Sequence, residues 1–188
     1  QTMKDQQKEM TEELSRWNNA TQTGSFYTQL DDFVDFVNDF RNSTNALQSI
    51  YKDTQNVSKS FYTGFDDMFS TSDVITSMTL KEINKKNAQL KSLTENTLKN
   101  SNQLLYYMLG DKAKDVQYQI TQADILANLT KAKIQPKEIL KGMTQSIVQT
   151  NQILLEIKAI QTSMLQQITQ LNQEQITQQK LIKEEVLR

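Results

Sequence analysis

No cysteine and no histidine occur in this chain of 188 residues. Their absence removes the commonest zinc ligands, the thiol nucleophile and the imidazole base, so no catalytic, metal-binding or cofactor-binding residues are expected. Without cysteine, the redox state of the compartment cannot be read from disulfides either. Proline occurs once and glycine four times, which leaves few obligatory breaks in the backbone. No apolar run approaches the roughly 20 residues of a membrane-spanning helix. The start, Gln1 to Asp5, carries no apolar signal-peptide region. A chain that opens on Gln is expected to be a trimmed or mature form, which leaves room for a signal peptide already removed. The 21 basic and 22 acidic residues nearly cancel, so there is no broad field to recruit nucleic acid or an anionic membrane.

What is present is helical periodicity. A mean hydropathy of −0.63 suits long helices that each bury one stripe. The expected class is all-α: an elongated antiparallel three-helix bundle or hairpin with a small helical or loop appendage, forming a single domain over 1–188. Met3, Met10, Leu14 and Trp17 predict a short first helix that ends in the polar stretch Asn18 to Ser25. Thr28 and Asp31 read as the start of a second helix, whose stripe runs through Leu30, Phe33, Val37, Phe40, Leu47, Ile50 and Val57 and ends near Lys59 or Phe61. Residues 61–78 read as the loop or appendage, because Gly64 and a run of small hydroxyl residues follow a local aromatic cluster.

Thr79 and Glu82 make a capping box that opens a third helix, which Gly110 closes. Thr121 and Asp124 mark another helix start, and Pro136 fits the first turn of a long C-terminal helix over 136–188. That run is about 53 residues, roughly 80 Å at 1.5 Å per residue. Its heptad seam places Leu140, Ile147, Leu154, Gln161, Ile168, Gln175 and Ile182 in one column, and Met143, Thr150, Ile157, Met164 and Leu171 in the other.

Adjacent acids such as Asp66-Asp67 and Glu184-Glu185 point about 100° apart on a helix, so they read as surface or caps rather than as a catalytic pair. Trp17, Tyr106 and Tyr107 read as packing between helices. Phe61, Tyr62, Phe65 and Phe69 read first as a local core and second as an adhesive patch. Ile168 and Leu171 read as contacts to other subunits.

The stretch Gln145-Ser-Ile-Val-Gln-Thr-Asn-Gln-Ile-Leu154 resembles the Gln-x-Leu-Gln-Ala-Gly-Asn-Gln-Leu-Leu pattern of TrbJ-like conjugative transfer proteins, the minor-pilin component of bacterial type IV secretion systems. The family's order of an early helix, an appendage, long antiparallel helices and a Gln-rich last helix also looks similar. The sequence departs from the pattern at Thr150, where the family has Gly, and at Pro136, in a stretch usually free of proline.

The resemblance implies a non-enzymatic protein of the periplasm and then of the extracellular pilus, near its tip or in its stalk. Implied partners are pilin and inner-membrane channel subunits, a recipient or host cell surface, and further copies of the chain. A cytoplasmic coiled-coil scaffold or phage structural protein fits the periodicity as well.

Overall fold

The structure, a computed structural model, describes residues 2–70 and 77–186; side chains at 57, 58, 60–81, 168, 171 and 178 lie outside that description. Among the described residues five α-helices follow one another: α1 (Met3–Thr23), α2 (Leu30–Ser70), α3 (Ser77–Leu109), α4 (Gln122–Ala132) and α5 (Pro136–Val186). Short 3-10 turns at Phe26–Gln29 and Gly110–Lys114 lead into α2 and out of α3, and no strand occurs among the described residues. The class is all-α.

Several boundaries differ from expectation for local reasons. α1 continues past Trp17, with Ala20 buried and the Thr21 and Thr23 hydroxyls donating back to the carbonyls of Asn18 and Asn19 rather than competing as caps. The helix stops at Gly24, whose φ of 78° is left-handed. Thr28 does not cap α2. It sits in the 3-10 turn and donates to the Ser25 carbonyl at 2.7 Å, so the helix starts on Leu30 with Asp31 and Asp32 in its first turn.

α2 then runs to Ser70, so residues 61–70, expected as part of a loop, are helical. The cause is the lack of a proline: Gly64 costs a helix only about 1 kcal/mol and does not break it. α3 starts at Ser77, two residues before the expected cap at Thr79, whose side chain lies outside the described residues.

The chain divides into two compact units, residues 1–52 with 92–154, and residues 53–91 with 155–188. In the first, α1 and α2 pair antiparallel, since Gln7 reaches Ser43 while Trp17 packs on Phe33. Trp17 is fully buried, with ring centroids 4.9 Å from Phe33 and 6.4 Å from Phe26 in edge-on geometry. This cluster joins Phe36, Phe40 and Met108 to Ile125 and Leu129 of α4 and to Ile139 and Met143 of α5 in one core.

α3 and α5 pair antiparallel through small polar side chains. Thr97 donates to the Gln149 side-chain oxygen at 3.0 Å, Asn100 donates to Ser146 at 2.9 Å and to the Gly142 carbonyl at 3.2 Å, and the Ser101 and Ser146 hydroxyls are 2.8 Å apart. A Cβ at Gly142 would lie 2.7 Å from the Leu104 Cδ2, so glycine permits the close approach of these helices.

In the second unit the described buried side chains are Thr54 on α2, Ile83 and Leu90 on α3, and Ile157, Ile160, Met164 and Gln167 on α5.

The α5 seam is shifted from the expected one. Met143, Thr150, Ile157 and Met164 are buried as one column, but the other column is Ile139, Ser146, Ile153, Ile160 and Gln167. Leu140 and Ile147 join them at the N-terminal end, whereas Leu154 is half-buried and Gln161 exposed.

Candidate functional site

An open groove of about 600 Å³ lies between the last turn of α3, the Gly110–Lys114 turn and one face of α4. Tyr106 and Tyr107 contribute from α3. Asp124, Asn128 and Lys131 line the opposite side at the i, i+4, i+7 spacing of a helix face. The other face of α4 carries the buried Ile125 and Leu129, which fix the helix to the core.

Gly110 makes the turn possible. Its φ is 62°, and a Cβ there would lie 2.8 Å from the Asn128 Oδ1. The Asn128 amide donates to the Met108 carbonyl at 3.3 Å, satisfying one of the open carbonyls at the end of α3. From α2, Arg41 reaches over to the Tyr118 carbonyl and also donates to Asn38 at 3.0 Å, tying down the connector before α4.

One end of the groove is braced by four side chains. Lys112 donates to the Tyr118 hydroxyl at 2.8 Å and to the Asp124 Oδ1 at 3.1 Å, and the Tyr118 hydroxyl donates to the Asp124 Oδ2 at 2.9 Å. The Thr121 hydroxyl and backbone N–H also donate to the Asp124 Oδ2, so the helix start expected at Thr121 and Asp124 takes the form of a capping box.

Burial pushes the Asp124 carboxyl upward, but the bonds from Thr121, Tyr118 and Lys112 outweigh it and hold its pKa at about 2, below the ordinary 3.8. Lys112 is raised, through its bond to Tyr118 first and then through Asp124. With its oxygens committed to these donors, Asp124 stays ionised at neutral pH and acts as a brace rather than as a proton carrier.

This pKa has a measurable consequence. Because the folded value lies below the unfolded one, Asp124 contributes stability that is present above pH 4 and lost as pH falls from about 4 to about 2. Solvent screening in the open groove reduces that contribution to about 1 kcal/mol. Denaturant melts should therefore show Asp124→Asn about 1 kcal/mol less stable than the parent at pH 6, with the gap closing by pH 2. Parallel curves for the two proteins would refute the brace.

The raised carboxyls of Glu13 and Asp39 act in the opposite sense, each shifted first by burial, Glu13 next by Asp39, and Asp39 next by Glu9 and Asp35. They cost stability as pH rises above their unfolded values. That cost is common to both proteins and cancels in the difference.

Phe61, Tyr62, Phe65 and Phe69 lie on α2 and Ile168 and Leu171 on α5, with side chains outside the described residues. Tyr107 packs partly against the core as expected. Tyr106, expected to pack too, is half-exposed and lines the groove.

Lys112 and Tyr118 fall between the helix end expected at Gly110 and the helix start expected at Thr121; a turn glycine followed by a helix start is the signal that marks such a return. Within Gln145–Leu154, Ser146, Ile147, Thr150 and Ile153 are buried, so much of that pattern faces the interior of the first unit. Among the described residues no group of three or more acidic side chains is placed to hold a metal ion, and no helix is long and apolar enough to cross a membrane. No family model, curated protein or solved structure matches this chain.

Proposed function

We propose that this chain is a non-enzymatic assembly component, a minor pilin or stalk protein of a type IV secretion pilus, which works by offering helix faces to partner subunits. The observation that carries the reading is the far end of α5. From Thr169 to Val186 every described side chain is exposed except the half-buried Glu174, and Ile176, Leu181, Ile182 and Val186 are among the uncovered residues. Several large aliphatic side chains left without cover along one helix segment mark a surface for another chain. The resemblance at Gln145 to Leu154 supplies the specific system. The partners are pilin and channel subunits in the periplasm, and then a recipient cell surface.

Deleting the gene from a conjugative host should lower transfer at least about 100-fold, and antibody to the protein should label sheared pili. Undiminished transfer, or protein confined to the cytoplasm, would overturn the pilus reading and favour an intracellular scaffold.

A further inference from the structure

The buried positions of α5 alternate by four and three from Ile139 through Met143, Ser146, Thr150 and Ile153 to Ile157, Ile160, Met164 and Gln167. Carrying that register on would bring Glu174 and Glu185 to the seam, and Glu174 is indeed the one described side chain beyond Gln167 that is partly covered. A neighbouring register avoids both acids. Leu165, Asn172, Gln179 and Val186 form one column, spaced by seven, and Ile168, Gln175 and Ile182 form the other by sequence position. This second seam contains no charge, and Leu165, Ile182 and Val186 are 63%, 64% and 78% exposed.

We propose that residues 165–186 of α5 pair with the same segment of a second copy as a parallel, in-register two-stranded coiled coil. The seam is complementary to itself. In register, each aliphatic residue meets its own kind, and Asn172, Gln175 and Gln179 meet identical amides, which carry both donors and acceptors.

Antiparallel pairing loses this match: in the two nearest registers it sets Asn172 against Ile182, or Gln179 against Ile168. A charged partner helix would bury its charges against a seam with nothing to pair them. Polar residues at seam positions fix register at a cost in stability. With about three heptads, the dimer is therefore weak and dependent on concentration. The inference deepens the assembly role above, giving α5 a specific partner.

The native chain has no cysteine, so one introduced thiol is unique. Sedimentation equilibrium of the full chain between about 1 and 200 μM should show a monomer–dimer equilibrium. Ile182→Asp combined with Val186→Asp should weaken it at least about tenfold, with far-UV helicity and melting of the core unchanged. Under mild oxidation Gln179→Cys should cross-link to its counterpart, while Lys180→Cys, one residue off the seam, should not.

A chain monomeric throughout that range, a double variant that dimerises like the parent, or dimers in which Gln179→Cys fails to cross-link would each overturn the proposal. A monomer that still labels pili would remove this inference and leave the pilus role standing. A cross-linked dimer absent from pili would do the reverse.

Discussion

Replacing Trp17 by Ala should lower the free energy of unfolding by about 4 kcal/mol, one of the largest losses any single truncation of this core can produce. The side chain is completely buried, and its ring meets Phe26, Phe33 and Phe36 together, so truncation leaves a cavity between α1 and α2 that aromatic neighbours cannot collapse to fill. The loss falls on the α1 to α2 pairing, which is then left to the buried Met10, Leu14 and Ala20 and the Gln7 to Ser43 hydrogen bond. The Arg16 to Asp32 ion pair at 2.6 Å is exposed at both ends and adds little. In thermal melts the midpoint should drop by about 10 °C. A drop of only a degree or two would mean that the aromatic cluster does not hold the first helix.

The second large effect tests the α5 seam. Ile153→Asp should abolish cooperative folding of the first unit or cost more than about 4 kcal/mol, since an aspartate there would be buried with no partner among the α3 hydroxyls able to balance its charge. Two positions on, Leu155 is 70% exposed, and Leu155→Asp should change stability by less than about 0.5 kcal/mol. Leu154→Asp should fall between them. Urea denaturation of the three variants orders the positions directly. If Leu154→Asp proved as damaging as Ile153→Asp, the seam would run where sequence periodicity first places it, and the burial pattern would be wrong.

The one-residue displacement of that seam shows what sequence can and cannot specify here. Helix ends governed by local chemistry are legible: the Thr121 and Asp124 box, the left-handed Gly110 and the N-terminal Pro136 all act where their residue types predict.

The seam is not, because α5 carries aliphatic pairs at 139–140 and 153–154 and a buried Ser–Ile pair at 146–147. Two adjacent columns therefore satisfy the same heptad, and only the facing surface of α3 chooses between them. α2 outruns its expected end for a related reason: glycine and clustered aromatics weaken a helix, but only a proline or a left-handed residue forces it to stop. The groove was the least legible feature. Tyr106, Lys112 and Asp124 line one groove because Gly110 folds the chain back, and nothing in local periodicity encodes that return.

Trp17 is the chain's single tryptophan, so the molecule carries one indole fluorophore, excitable apart from the tyrosines, placed against rings of the α1 to α2 pairing and under the Arg16 guanidinium at 4.7 Å. Its emission senses the first compact unit alone, whereas far-UV dichroism averages over every helix in the chain. Melting followed by the two signals therefore separates coincident from sequential loss of the units, without any label being attached.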